Sequence, residues 1–293
     1  MQCIDVGSSV LDSDFTFDRL ADAINAMHED GIVCLNNAVD PQHIENLHTK
    51  LLDDLSTVAT DRTKNKWNSL RPPPFYPYLY TDIIYNTFAI EVLRGVLGPN
   101  ATLTTYGANT SWLGEETSQQ IHRDLPDGPI TQSCPAVVLN FPMSAFCLEN
   151  GPTTIYPGSH LTSVAQANGT RRYTQAMLDA QATRRAPELT TDICPGDLVI
   201  RDLRLWHGGT PNRSSELRTM LALVVIDPDY QQADESGFKG FEAEESAKDF
   251  WYHERLRTSV YFVPMGDRSY YLHAHHSTPP TPLFLDWQAR KGT

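Results

Sequence analysis

The sequence predicts a mainly β fold, a barrel or jelly roll flanked by helices at its N-terminus and on its surface. After residue 100, short runs rich in strand-forming residues are separated by Gly, Pro and Asn. Helical periodicity is strongest before residue 100, so strands and helices do not alternate as they do in α/β proteins. The predicted strands are Leu103 to Tyr106, Val137 to Phe141, Thr153 to Tyr156, Asp197 to Ile200, Met220 to Ile226 and Val260 to Val263.

A first helix is predicted near the N-terminus, because apolar residues recur there at helical spacing. These residues are Phe17, Leu20, Ile24 and Met27. Thr16 can cap the helix, and Gly31 follows its last turn, where a left-handed residue is favoured. The helix should therefore lead directly into a short strand from Ile32 to Leu35.

Two more helices are predicted before residue 100. Asp40 and Pro41 provide a cap and a proline at the first helical position. Gly98 and Pro99 stop the later helix. The apolar stripes comprise Ile44, Leu47, Leu51 and Leu55 in one helix and Ile90, Leu93 and Leu97 in the other.

Residues 61–80 form an irregular segment between these helices, rich in proline and aromatic residues. Long loops of this kind are more often functional than idle. Trp67, Tyr76, Tyr78 and Tyr80 could form a wall for an aromatic substrate or simply pack the loop against the barrel. The sequence leaves both interpretations open.

The composition predicts a single folded domain. The chain has 293 residues, 40% of them apolar, which is enough for a sizeable core. It has no internal repeat and no linker-like change in composition. We predict residues 1–100 as helical packaging and loop, 101–227 as the jelly-roll core, and 228–293 as a lid or C-terminal segment that completes the core.

Charge and cysteine content argue against several classes of partner and site. The formal charge is −13, and Lys and Arg are scattered rather than gathered into a stripe that could neutralise phosphates. We therefore expect neither nucleic acid nor membrane as a partner, while a homodimer stays open. The five cysteines contain no C-x-x-C pair, so we expect reduced thiols in a cytoplasmic protein.

Two separated segments carry residues that suit a metal. His122 and Asp124 are two residues apart, and on a strand this spacing points both side chains to one face. His207 is followed by Gly208 and Gly209, which permit a turn and leave space beside the imidazole. Two histidines and one carboxylate leave three positions open on an octahedral iron(II), which is typical of non-haem iron oxygenases and unlike a closed zinc site.

Arg218 follows His207 by eleven residues, at the head of an apolar run. A buried guanidinium there could clamp a carboxylate in bidentate fashion, which makes Arg218 the predicted anchor for the distal carboxylate of 2-oxoglutarate. Arg213 is the alternative, but it precedes two serines and is better suited to bracing the turn. The strand that follows Arg218 should aim that side chain inward.

The sequence resembles the phytanoyl-CoA dioxygenase-like branch of the iron(II)/2-oxoglutarate oxygenases, over about residues 17–227. Asp30-Gly31-Ile32-Val33, Gln119 to Asp124, Glu149 to Thr153, Pro157 to His160, Pro195-Gly196-Asp197 and His207 to Arg218 carry the resemblance. It implies a double-stranded β-helix core in which His122, Asp124 and His207 bind Fe(II). It further implies that Arg218 holds 2-oxoglutarate and that Gln119 and Thr153 also contact this co-substrate.

The resemblance also implies the reaction. O2 and 2-oxoglutarate would be consumed, with release of succinate and CO2, to oxidise a small lipophilic metabolite by hydroxylation, desaturation or ring rearrangement, in secondary-metabolite biosynthesis. The family's halogenating relatives lack the metal-binding carboxylate, so the presence of Asp124 favours oxidation over halogenation. The alternatives are an acyl-CoA hydroxylase, a protein hydroxylase, and a cupin-like metal-binding protein without oxygenase activity.

Several other polar or aromatic residues invite a functional interpretation. His160 is predicted to structure a loop rather than bind metal, and the cluster His273, His275 and His276 to belong to a solvated tail or lid. Tyr106 and Asn109 precede the predicted metal strand and are candidates to face the substrate or 2-oxoglutarate.

Overall fold

Two β-sheets with a cavity between them form the framework of the protein. They are seen in a computed structural model that describes residues 1–7, 17–57, 72–112, 116–125, 133–162, 173–229, 240–263 and 283–285. Within these residues the larger sheet has nine strands and the smaller sheet has three. The two sheets are the halves of a double-stranded β-helix, which confirms the predicted fold class.

Each of the six strands predicted after residue 100, and the strand predicted from Ile32 to Leu35, has a counterpart in these sheets. The order in the larger sheet is β1-β2-β7-β4-β9-β3-β11-β10, with β12 against β11, and the order in the smaller sheet is β6-β5-β8. The larger sheet contains β1 (Gln2–Asp5), β2 (Ile32–Asn36), β3 (Thr102–Ser111), β4 (Ala136–Pro142), β7 (Leu198–Asp202), β9 (Arg218–Ile226), β10 (Phe241–Glu244), β11 (Arg257–Val263) and β12 (Leu283–Leu285). The smaller sheet contains β5 (Thr153–Ile155), β6 (Glu188–Leu189) and β8 (His207–Gly209).

The three predicted N-terminal helices are present with the predicted signals at their ends. Gly31 follows the first helix at φ 73°, the left-handed conformation that glycine adopts without strain. The Asp40 carboxylate accepts a hydrogen bond from the backbone N–H of Gln42, at 2.9 Å, at the start of the second helix. The helices are α1 (Phe17–Glu29), α2 (Pro41–Thr57), α3 (Thr81–Ile84), α4 (Thr87–Leu97) and α5 (Gln175–Arg184). Thr16 lies outside the described residues.

The central strands of the larger sheet are covered on both faces, and this arrangement creates the site. On β4, Leu139 and Phe141 belong to the same apolar core as residues of α1, α2 and α4, while Asn140 lines the cavity. On β9, Leu221 packs into that core, and Met220 faces the cavity. Because side chains alternate along a strand, one face packs against helices and the other supplies the walls of the cavity.

Strands β10 to β12 extend the larger sheet beyond β3. Trp251, which follows β10, is buried in the core shared with the N-terminal helices, and its indole N–H donates to the Pro74 carbonyl at 3.3 Å. The C-terminal part of the chain is thus connected to the N-terminal helices by packing as well as by the sheet.

Candidate metal centre and its cavity

His122 pairs with His207 of β8 through a single bridge, and Asp124 follows two residues later at a bend. The backbone N–H of His122 donates to the carbonyl of His207 and the reverse bond is also made, both at 2.9 Å, while the N–H of Asp124 donates to Leu203 at 2.9 Å. The structure thus has an isolated bridge at His122 rather than a regular strand. Both side chains nevertheless face His207: the rings of His122 and His207 have centroids 4.5 Å apart, and the Asp124 carboxylate lies 3.6 Å from Nε2 of His207.

Gly208 allows this close approach. A Cβ atom at Gly208 would lie 2.9 Å from the backbone oxygen of Gln119 and 3.0 Å from a methyl group of Ile121. Any larger side chain would push residues 119–122 away from β8. The glycine after His207 is thus required by the spacing between the two segments that carry the candidate ligands.

The three predicted metal ligands converge. One ligand atom from each of His122, Asp124 and His207 lies within 4.8 Å of the other two. The Nε2 atom of His122 is 3.7 Å from Oδ1 of Asp124, and Nε2 of His207 is 3.6 Å from Oδ2. Among the described residues no other group of three His, Cys, Asp or Glu side chains converges in this way.

Backbone carbonyls orient both imidazoles. The Nδ1 atom of His122 is 2.9 Å from the carbonyl oxygen of Gln120, and Nδ1 of His207 is 2.9 Å from that of Leu205. Since a carbonyl can only accept, each Nδ1 carries the proton and donates it. Each Nε2 then keeps its lone pair for a metal.

Burial and a neighbouring cation set the charges at the centre. Burial, with the positive charge of Arg201, lowers the pKa of His207 to about 3, so the imidazole is neutral and able to bind metal. Burial alone would raise the pKa of Asp124, but His207, Arg201 and His122 together hold it well below its usual value. The Asp124 carboxylate is therefore ionised, as a metal ligand must be.

Arg201 contacts both of these ligands, but only one contact is a hydrogen bond. Its Nη2 donates to Oδ2 of Asp124 at 2.8 Å. Its Nη1 lies 3.2 Å from Nδ1 of His207. Since that Nδ1 already donates its proton to Leu205, it has no lone pair to accept from Arg201, and we assign the hydrogen bond to Leu205.

The centre opens into a cavity of about 300 Å³ that also holds Arg218. Arg218 is only 4% exposed, one of its terminal nitrogens donates to the carbonyl of Gly151, and its guanidinium lies over the ring of Phe146 at 4.6 Å. Its Nε is buried and makes no hydrogen bond to any described residue. Burial lowers the pKa of Arg218 to about 10, which leaves the side chain positively charged at neutral pH.

Gln119 and Thr153 both line this cavity beside β8. The Gln119 side-chain oxygen accepts from the N–H of Gly209 at 3.1 Å, so its amide nitrogen is the group left to act as a donor. Thr153 is paired with Gly209 in the smaller sheet, and its N–H donates to the Thr190 hydroxyl at 3.0 Å. The two residues predicted as co-substrate contacts thus lie on either side of Gly209.

Of the other candidate residues, some line the cavity and others lie away from it. Asn109 lines the cavity, whereas Tyr106 is buried in the helix-facing core and donates to the Tyr78 carbonyl at 2.9 Å. His160 is buried away from the centre, with Nε2 3.2 Å from the His28 carbonyl. Arg213 is exposed. Trp67 and the cluster His273, His275 and His276 lie outside the described residues. The other members of the proposed aromatic wall, Tyr76, Tyr78 and Tyr80, do not line the cavity.

Among the cavity residues that were not predicted from the sequence are two polar side chains, Arg201 and Asn140. Arg201 follows the apolar residues 198–200 of β7, and Asn140 stands inside the otherwise apolar β4, where its Nδ2 is buried without a hydrogen bond to any described residue. A polar residue within an apolar run was a usable signal, because such residues are rarely buried without a partner or a ligand. The run alone does not show which face the residue occupies.

Comparison with known proteins places these residues in context. The family Phytanoyl-CoA dioxygenase (PhyH) matches residues 93–220, which include His122, Asp124, His207 and Arg218. Dioxygenase trt7 of Aspergillus terreus is 23% identical over 229 residues, covering 70% of this chain and 72% of that protein. Dioxygenase andF of Emericella variicolor is 26% identical over 226 residues, covering 67% and 70%.

The fold has counterparts among solved structures. The crystal structure of EctD from S. alaskensis with 2-oxoglutarate and 5-hydroxyectoine superposes with a TM-score of 0.57 at 19% identity, covering 75% of this chain and 81% of that one. The family match and the relatives confirm the predicted resemblance and the predicted iron(II)- and 2-oxoglutarate-dependent dioxygenase activity. Among the described helices, none combines the length and apolar character needed to cross a bilayer.

Proposed function

We propose that residues lining this cavity carry out an iron(II)- and 2-oxoglutarate-dependent dioxygenase reaction of the phytanoyl-CoA dioxygenase-like kind. His122, Asp124 and His207 hold the iron. Arg218 binds the distal carboxylate of 2-oxoglutarate, and Gln119 and Thr153 contact the same molecule. The substrate is a small lipophilic metabolite of secondary metabolism.

The observation that carries this proposal is the placement of two complementary groups in one cavity. At one end stand two imidazoles, of which that of His207 is neutral, and an ionised carboxylate, the donor set that non-haem iron(II) accepts with positions to spare. At the other end stands a buried guanidinium whose Nε has no partner among the described residues. A buried cation of this kind is stabilised by a ligand anion, and a dicarboxylate long enough to reach the metal supplies one.

Each residue has a defined task in the reaction. Iron(II) with 2-oxoglutarate and O2 supplies the oxidising power, as 2-oxoglutarate is converted to succinate and CO2. The carbonyls of Gln120 and Leu205 keep the two Nε2 atoms directed at the metal. Arg218 and Phe146 hold the far end of the co-substrate within the cavity, so that the oxidising power is directed at a substrate bound beside it.

The lining of the cavity supports a small, lipophilic substrate. Its volume of about 300 Å³ is at the lower end of the range for small-molecule sites. Beside the polar groups, part of the wall is formed by apolar side chains from both sheets: Ile32, Ile155, Ile193, Val199 and Met220. These apolar side chains would contact the hydrocarbon part of a substrate rather than charged groups. The fungal dioxygenases to which the chain is similar support a role in secondary metabolism.

We also propose that residues 1–293 act as a single oxygenase domain. The N-terminal strand β2 pairs with β7, which carries Arg201, and the later strand β11 pairs with β3, which carries Asn109. Cavity-lining strands are therefore flanked in one sheet by segments from both ends of the chain.

Anaerobic reconstitution with iron(II) and 2-oxoglutarate tests the proposed roles. The wild type should give the weak visible metal-to-ligand charge-transfer band and release succinate when O2 is admitted. His122→Ala should lose both signals, and Arg218→Ala should require far more 2-oxoglutarate to produce them. The exposed Arg213→Ala is the matched control and should behave as the wild type.

Each alternative function predicts a different result. Bound iron with neither the band nor succinate would contradict the proposal and indicate a metal-binding jelly-roll protein without oxygenase activity. Once the band is established, succinate formation stimulated by lipophilic metabolites supports the proposed substrate class. Stimulation by acyl-CoA or by peptides alone would overturn that class and leave the metal site intact.

A further inference from the structure

Arg201 is a buried cation placed directly behind a proposed metal ligand. It lies on β7 with its side chain facing the cavity and is 7% exposed. Its Nη2 donates to Oδ2 of Asp124 at 2.8 Å. A charge-assisted hydrogen bond of this length, between largely buried groups, fixes the orientation of the carboxylate.

The two carboxylate oxygens of Asp124 consequently have different surroundings. Oδ2 accepts the hydrogen bond from Arg201 and lies 3.6 Å from Nε2 of His207. Oδ1 is turned toward His122, at 3.7 Å from its Nε2. A carboxylate without such a partner on one oxygen can offer both oxygens to a single metal ion.

We propose that Arg201 is a positioning residue that makes Asp124 a one-oxygen ligand through Oδ1. By retaining Oδ2, Arg201 keeps Asp124 from occupying a second coordination position. The facial arrangement needs three positions for 2-oxoglutarate and O2, so a two-oxygen carboxylate would compete with the co-substrate. This inference rests on the metal site proposed above.

A second buried pair provides a matched control. Arg204 donates to the carboxylate of Asp202 through Nε at 3.0 Å and Nη2 at 2.7 Å, and both residues are almost fully buried. Neither residue lines the cavity. A substitution at Arg204 therefore removes a buried ion pair of the same kind, three residues along the chain, without touching a proposed ligand.

The test compares the wild type, Arg201→Met, Arg201→Lys and Arg204→Met, with His122→Ala as the metal-free reference. Calorimetry first measures Mn²⁺ binding, and then 2-oxoglutarate binding to the Mn²⁺-loaded proteins. The visible spectrum of the Co²⁺-loaded proteins, recorded without 2-oxoglutarate, reports the number of ligands around the metal. Thermal melting of the unloaded proteins monitors folding.

For Arg201→Met we expect a change confined to the metal geometry and to 2-oxoglutarate. Mn²⁺ binding should persist, because all three proposed ligands remain and Asp124 can then offer both of its oxygens. The affinity for 2-oxoglutarate should fall by about tenfold or more, as for other residues that orient metal ligands. The Co²⁺ spectrum should change before 2-oxoglutarate is added. Arg201→Lys should restore most of the 2-oxoglutarate affinity and of the wild-type Co²⁺ spectrum, because a lysine can still donate to Oδ2.

The possible contradictions are separable. If the wild type binds Mn²⁺ no better than His122→Ala, the proposed metal site itself fails. If it binds Mn²⁺ but Arg201→Met keeps the wild-type 2-oxoglutarate affinity, only the role of Arg201 is overturned. An unchanged Co²⁺ spectrum with weaker 2-oxoglutarate binding would show that Arg201 contacts the co-substrate directly instead. A loss of Mn²⁺ affinity, or the same losses in Arg204→Met, would reduce Arg201 to a structural ion pair.

Discussion

The two arginines that line the cavity, Arg201 and Arg218, are similarly buried but face different partners. Arg201 is paired with the carboxylate of Asp124, at 2.8 Å. Arg218 contacts a carbonyl and an aromatic ring, and no carboxylate among the described residues forms an ion pair with it. A buried cation with an internal anion orients that anion, whereas one without it is ready for an anion from a ligand.

The largest effect should follow from removing a metal ligand. His207→Ala deletes one of the two imidazoles, and the metal then has too few protein ligands to be retained. We expect Mn²⁺ binding by calorimetry and succinate formation to fall below detection. His160→Ala serves as the control, because that buried histidine lies outside the group of three ligands. Equal metal affinity in His207→Ala and the wild type would place the metal elsewhere.

The next largest effect concerns Arg218 and tests whether it differs from Arg201 in lacking an internal anionic partner. Arg218→Met replaces a buried cation that lacks an internal anion, so the unliganded protein should melt at or above the wild-type temperature. Saturating 2-oxoglutarate, added with Mn²⁺, should raise the melting temperature of the wild type but not that of the variant. A large drop in the melting temperature of unliganded Arg218→Met would mean that this arginine, like Arg201, has a structural partner.

A smaller effect is expected at Gln119. Gln119→Ala removes one amide donor toward the co-substrate and one hydrogen bond to the Gly209 N–H. A neutral hydrogen bond contributes about 1 kcal/mol, so the 2-oxoglutarate affinity should fall about fivefold. Calorimetry on the Mn²⁺-loaded protein measures it, with Thr190→Ala as a neighbouring comparison. No change in affinity would place the co-substrate away from the amide.

The smallest effect is expected at Phe146. Phe146→Leu keeps an apolar wall but removes the ring that lies under the Arg218 guanidinium at 4.6 Å. A cation–π contact contributes about 0.5–1 kcal/mol at exposed sites and about 2 kcal/mol when desolvated. Because the ring contacts Arg218 with or without 2-oxoglutarate, only part of this contribution should appear in the 2-oxoglutarate affinity, which should fall about two- to fivefold. Mn²⁺ affinity should not move. If Mn²⁺ affinity falls as well, Phe146 supports the metal centre rather than Arg218.

The strand-forming composition of the longer runs explains why so much of the framework could be predicted. Runs such as 137–141 and 220–226 are enriched in strand-forming residues over their whole length, and each corresponds to a strand in the structure. Short strands were missed for the opposite reason. Glu188–Leu189 and Leu283–Leu285 are two and three residues long, and such lengths leave no periodic signal.

Helix α5 was missed for a related reason. Of its residues only Leu178 and Gln181 are buried, so the apolar stripe that marks the N-terminal helices is lacking. By contrast, α4 buries seven residues on one face and carries Asn86 as a cap, with its side chain accepting from the Ala89 N–H at 3.0 Å. Helices that depend on few buried contacts leave a weak pattern in the sequence.

At the candidate site the sequence by itself determined which chemistry was available. The types and spacing of His122, Asp124, His207 and Arg218 indicate an iron centre and a carboxylate anchor, because these depend on side-chain chemistry. Only the tertiary structure decided that Arg201 faces Asp124. The two residues are 77 positions apart, and they meet because β7 and the segment around residue 124 come to line one cavity. Contacts between distant segments arise from packing, for which a single sequence contains no local signal.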